Sequence, residues 1–226
     1  INENILTMLT EGDINYNVVE FDYKYCQYRN LELHKLMEGK DCDCEYGKHG
    51  KLVESFLKSA NKVFFMSNEQ MNIHLDRLEL EETKCAVLSS VFTNETLDRI
   101  KNLRKKYADQ KQNFWAISGS PNWVKGADAA KKWCHENNVD FVELNNVPYE
   151  QALEALAKAK GLCLLPPGAD TCPRLVIEAK LLGCELHYNE NVQHANEDWF
   201  NTDDIGSIES YLRDFENRFW PNIVNE

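Results

Sequence analysis

An α/β protein built on a doubly wound parallel sheet is the fold this chain predicts, on three observations. Short apolar runs such as "NFWAI", "DFVEL" and "GLCLL" alternate with helical stretches along the chain. Those runs are rich in apolar residues, as in strands covered by helices. The connections from strand to helix collect Gly, Pro, Asn and Ser, and in such sheets ligands sit on these loops, beyond the carboxyl ends of the strands.

The elements follow in order. "NVVEFDY" (17–23) reads as a strand and is followed by a turn-rich stretch containing cysteines. "KLVESFLKSA" is a helix leading into the strand "KVFFM". Ser67 is placed to cap a helix running through Leu78, with Gln70 completing a capping box. "CAVL" is a short strand, and Asn94 can cap the charged helix "ETLDRIKNLRKKYA". The pattern then becomes regular. "NFWAI" leads through "SGSPNWVKG" to the helix "ADAAKKWCHENN", and "DFVEL" leads through "NNVP" to "YEQALEALAKAK". "GLCLL" leads through "PPGADTC" to "PRLVIEAKLLG", and the strand "CELHY" follows. There is no internal repeat.

Composition narrows the function classes. The chain has 226 residues and a formal net charge of −12, with 37 acidic against 25 basic side chains. Such a surface repels a phosphate backbone, so nucleic acid is not the expected partner, although a locally positive pocket still suits a small anion. No apolar run is long enough to cross a bilayer. The eight cysteines are scattered through apparent helices and strands, which fits free thiols in a reducing cytoplasm better than a disulfide framework. The first residue is Ile1 rather than Met, so a longer protein is an open expectation.

The loop after "GLCLL" is the most loaded with chemistry. Pro173 suits the first helical position and Gly183 the position just past the end, with Leu175, Val176, Ala179 and Leu182 as the buried stripe. Asp170 lies just before this helix and Glu178 in its second turn. Free N–H groups at a helix start, with the dipole behind them, bind anions. Arg174 adds a charged fork for phosphate oxygens, and carboxylates accept paired hydrogen bonds from hydroxyls. The plainer reading is a helix cap at Asp170 and a solvated Glu178.

In company with the other loops, this segment resembles the retaining glycosyltransferases of the GT-B fold, in the group related to family four. The resemblance rests on Asp170, seven intervening residues, then Glu178, Ala179 and "KLLG", with Asp where the family usually has Glu. It also rests on "GSPNWVKG", which keeps Gly119, Lys125 and Gly126 at the family spacing but has Ser120 where arginine is usual. The resemblance implies a Rossmann-like C-terminal domain over 89–226 and a partial, acceptor-side N-terminal portion over 1–88. It implies transfer of a sugar from a nucleotide-diphosphate donor, UDP- or GDP-linked, to a carbohydrate or other hydroxyl acceptor, with retention and without a metal. No cofactor is expected beyond the donor substrate. Carried over, Lys125, Asp170 and Arg174 act in catalysis. Gly119, Ser120, Lys125, Val147, Thr171, Cys172, Pro173 and Glu178 hold the donor, Val147 lying near the base and Glu178 on the ribose. A homo-oligomer or a missing N-terminal half would supply the acceptor side. The alternative is a non-catalytic nucleotide-sugar-binding module, or a partial domain needing a partner chain.

Cys26, Cys42, Cys44 and His49 form a second group with metal-ligand chemistry. Cys42 and Cys44 lack the two-residue gap of zinc knuckles, so a free-thiol loop or a redox-dependent disulfide is the preferred reading. His187 reads as a core histidine and His194 as part of a surface loop. The run "RIKNLRKK" reads as a solvated helix face, and "YLRDFENRFWPNIV" as a closing helix.

Overall fold

The computed structural model describes residues 3–12 and 14–224, so Ile1 lies outside it. The chain divides into two compact units, one comprising residues up to Ser89 plus the segment from Phe215, the other Ser90–Asp214. The second unit thus ends at Asp214, whereas the sequence suggested 89–226.

In the first unit, helix α1 (Glu3–Glu11), to which the sequence reading gave no element, precedes strand β1 (Asn17–Glu20). The turn-rich stretch contains a second helix, α2 (Leu31–Glu38). Asn30 caps it by accepting from Leu33 N, and Gly39 ends it at φ 70°. These are the usual start and stop signals of a helix, masked in the sequence by the turn residues around them. Helix α3 (Lys48–Lys58), strand β2 (Lys62–Phe65), helix α4 (Asn68–Arg77) and strand β3 (Cys85–Val87) follow. The strands form a parallel sheet in the order β1-β2-β3, centred on the buried Val63, Phe64 and Phe65. Ser67 caps α4 as expected, accepting from Gln70 N at 3.1 Å. Gln70 Oε1 reciprocates on Met66 N at 2.7 Å.

The second unit runs α5 (Asn94–Lys106), β4 (Gln112–Ser118), α6 (Ala127–Glu136), β5 (Phe141–Leu144), α7 (Tyr149–Lys158), β6 (Ala159–Leu164), α8 (Arg174–Leu181), β7 (Glu185–Tyr188) and α9 (Ile205–Arg213). Thr93, not Asn94, caps α5, because its hydroxyl reaches Thr96 N at 3.2 Å while Asn94 is already helical. The four strands are parallel in the order β5-β4-β6-β7. Helix α6 packs on the face carrying Trp115, Ile117 and Cys163, with Ala130 and Cys134 at the contact. Helices α7 and α8 contact β6 and each other, and α5 and α9 pack against α8.

From β4 the chain steps to β5 on one side and then returns to β6 on the other. The carboxyl ends of β4 and β6 therefore flank the point where strand order reverses, the ligand crevice of open α/β sheets. This supports a Rossmann-like, doubly wound arrangement for the second unit.

After α9 the expected closing helix breaks into α10 (Phe215–Phe219) and α11 (Pro221–Val224). Phe219 stacks on Phe215 and meets Phe64 of β2 at a centroid distance of 5.0 Å. Arg218 Nη1 donates to Leu88 O at 3.4 Å. Those contacts explain why this segment belongs with the first unit. All eight cysteines are free thiols, and no described helix is long and apolar enough to cross a membrane.

Candidate functional site: the crevice between β4 and β6

The loop after β4 is drawn tight by its own polar side chains. Ser118 Oγ accepts from Ser120 N at 3.3 Å, and Ser120 Oγ accepts from Asn122 N at 3.2 Å. Asn122 Oδ1 accepts from Val124 N at 3.3 Å and caps a single 3-10 turn over Trp123–Lys125. Gly126 ends that turn at φ 59° and begins α6. At this residue the backbone touches the loop after β6: a Cβ there would lie 1.9 Å from Leu165 O. At Gly119 a Cβ would lie 2.5 Å from Asn145 Cβ, in the loop after β5. Both glycines are required by close approach, which draws the three strand-to-helix loops together.

The contact at Gly126 sets the adjacent Lys125 over the third loop. Lys125 Nζ meets Asp170 Oδ2 at 2.6 Å. Asp170 is buried, and its main chain is held by Asp170 N donating to Asn191 O and Gln193 N donating to Asp170 O. Burial raises the Asp170 carboxyl above its ordinary pKa, opposed by the Lys125 ammonium. Asn189 and Asn191 both donate from their amides to Pro166 O, at 2.8 and 2.9 Å, bracing the loop after β6 from below. The sequence reading missed this brace, although the N-x-N spacing after "CELHY" was visible.

Helix α8 begins at Arg174, with Pro173 one residue earlier than expected, at the cap. Thr171, Cys172 and Pro173 are buried. Cys172 O accepts from Ser90 Oγ at 2.8 Å, and enclosure pushes the Cys172 thiol up to about 12. Glu178 does not face solvent: only 4% of it is exposed. Glu178 Oε1 accepts from Tyr149 OH at 2.8 Å, and Arg174 Nε lies 3.6 Å from the same oxygen. Burial raises the Glu178 carboxyl above its ordinary value, with the Tyr149 bond and the Arg174 charge opposing that rise. Desolvation, then the Glu178 charge, pushes the Tyr149 phenol well above its usual range. Arg174 is half exposed, with its guanidinium 4.4 Å from the Phe92 ring centroid. Tyr149 and Phe92 carry no local signal in the sequence, since nothing local marks a partner in a distant element.

Within this unit the structure thus brings Lys125 to Asp170, and Arg174 to Glu178. Val147 is exposed on the loop after β5, just beyond Asn146, which adopts φ 52°. An open concavity of about 350 Å³ is lined by Ser120, Asn122, Trp123, Gly126, Asp128 and Pro167, among others. Lys125, Asp170 and Glu178 do not line it; it adjoins the charged pair at Gly126 rather than containing it. His187 stacks on Trp133 at 4.2 Å, and burial lowers its pKa, as suits a packed ring. His194, expected in surface packing, is fully buried against Trp199 and Phe200.

No protein-family model matches the chain, and no curated protein matches it. Among solved structures, the crystal structure of WaaG, a glycosyltransferase involved in lipopolysaccharide biosynthesis, is similar over 96% of this chain and 73% of that one. The identity is 13% and the TM-score 0.48, and at those values the likeness carries no functional argument.

Proposed function

We propose that the chain binds a nucleotide-diphosphate sugar in the β4–β6 crevice and transfers the sugar to a hydroxyl acceptor, with retention and without a metal. The observation that carries the reading is the meeting of Lys125 with Asp170 at 2.6 Å, where strand order reverses, with Glu178 buried on the helix that begins there. Three loops with a cation, two carboxylates and a helix start suit a ligand that is anionic in its middle and hydroxylated at both ends.

As the glycosidic bond breaks, negative charge grows on the leaving diphosphate. Lys125, Arg174 and the N-terminus of α8, which follows Thr171, Cys172 and Pro173, would stabilise it as groups fixed in advance. Asp170, held by Lys125, would face the transferred sugar. Glu178 keeps one carboxylate oxygen beyond the Tyr149 bond, which suits a ribose hydroxyl. Gly119 and Ser120 would lie at the diphosphate, and the exposed backbone at Val147 would meet the base.

One observation favours a binding module without turnover. The Ser120 hydroxyl is engaged with Asn122 N, and Lys125 is already paired with Asp170, so little cationic charge is uncommitted. An arginine absent from a diphosphate site forgoes about 2 kcal/mol of anion stabilisation.

Calorimetry with UDP- and GDP-sugars tests the site. Glu178→Ala and Lys125→Ala are each expected to weaken binding about tenfold or more; unchanged affinity in both would sink the assignment. Release of free nucleotide diphosphate from bound donor separates the transferase from the module.

A further inference from the structure

The loop between β1 and α3 holds a cluster that the crevice does not involve. Cys26, His34, Cys42 and Cys44 bring their ligand atoms within 4.8 Å of one another. The histidine is His34, on α2, and not His49, whose Nε2 lies 3.0 Å from Lys24 O. Helical spacing makes the difference: the Asn30 cap fixes the register of α2, and that register turns His34 inward, where it is only 2% exposed.

We propose that these four side chains form a Cys3His site for a single zinc ion. His34 Nδ1 lies 3.5 Å from Cys44 Sγ and 3.7 Å from Cys26 Sγ. Bonds of about 2.3 Å to sulfur and about 2.0 Å to nitrogen in a tetrahedron place S and N about 3.6 Å apart. The two observed separations match two edges of that tetrahedron. Thiolate-rich, four-coordinate surroundings select zinc over the hard cations magnesium and calcium.

The backbone is shaped for the same purpose. The Tyr28 N–H bonds Cys26 Sγ and the Cys44 N–H bonds Cys42 Sγ, in each case two residues on, which fixes where the two sulfurs sit. Arg77 Nη1 donates to Cys42 O and to Glu45 Oε1, both at 2.9 Å, placing a cation beside a site that would carry one net negative charge. Gly50 lets α3 close on the loop, since a Cβ there would lie 2.0 Å from Cys44 O. Cys26, His34 and Cys42 are buried and Cys44 is partly exposed, which leaves a side for entry. With four protein ligands no position is open for substrate, so the ion is structural and staples a long irregular loop.

The full chain, purified under reducing conditions, should contain one equivalent of zinc by elemental analysis. Cobalt(II) exchanged for it should give the intense visible bands of a tetrahedral thiolate site. Cys42→Ser and His34→Ala should lower zinc affinity at least a hundredfold, and His49→Ala should leave it unchanged. His34→Cys keeps four ligands, and is expected to retain the ion with a stronger sulfur-to-cobalt charge-transfer band, which guards against simple misfolding. Absence of zinc with no uptake of added metal would overturn the proposal. So would a disulfide among the three cysteines that persists through purification under reducing conditions, or zinc binding that survives His34→Ala but is lost in His49→Ala.

Discussion

At Gly126 an added methyl group meets the Leu165 carbonyl at 1.9 Å, whereas at Gly183 it meets nothing within 4 Å. Both residues have positive φ, so both substitutions by alanine carry left-handed strain of about 1–2 kcal/mol. Only Gly126→Ala adds overpacking, worth about a further 1–3 kcal/mol. Urea unfolding should therefore show Gly126→Ala to be clearly the more destabilising of the two. Gly119, Lys125 and Gly126 could be picked out by their spacing after a strand, but the surfaces they press against lie in other loops, which no local pattern displays. Glu178 makes the same point. Helical periodicity allowed it to face solvent, but it is buried, with Tyr149 of α7 bonded to it. His49 stands close to Cys44 in sequence, yet the register of α2 brings His34 to the cysteines instead.

Among the elements, α4 shows how a cap becomes a tertiary joint. The Gln70 amide donates to Glu20 O and Asp22 O, both at 3.0 Å, while its oxygen accepts from Met66 N. Ser67→Ala removes the cap and is expected to cost about 1 kcal/mol. Gln70→Ala strips three backbone groups, two of them buried, of this partner and should cost about 2 kcal/mol or more; chemical denaturation of both variants measures the difference. The cap was legible from Ser67 and Gln70 alone, because a capping box is local. Most strands and helices were found for the same reason, through apolar runs and their punctuation. The order β5-β4-β6-β7 was not, since strand pairing is decided by crossovers and leaves no mark on any single strand.

Across the molecule, pH dependence sums groups that oppose one another. His74 is buried, its Nδ1 lies 2.8 Å from Gln70 O, and desolvation lowers its pKa to about 4. Its contribution is complete above pH 6.5 and drains as pH falls towards 4, because the unfolded chain takes up the proton first. Burial raises Glu20, paired with Lys24, to about 7. Its contribution is complete below pH 4.5 and is lost as pH rises through 7. Between pH 4.5 and 6.5 the two slopes largely cancel. His74→Gln should shift the stability slope by up to about 1.4 kcal/mol per pH unit towards gain on acidification, and Glu20→Gln by a similar amount towards loss. Urea midpoints over that range check both signs. The division of the chain was legible only in part, because Phe215 and Phe219 join the first unit through aromatic contacts with no sequence-local signature. The backbone contact at Gly126 has a thermodynamic meaning as well. Two loops that rest on each other's main chain have already given up their freedom before any ligand arrives. Binding in the crevice would then spend little conformational entropy on ordering loops, and a small ligand would be discriminated by fit rather than by the closing of a lid.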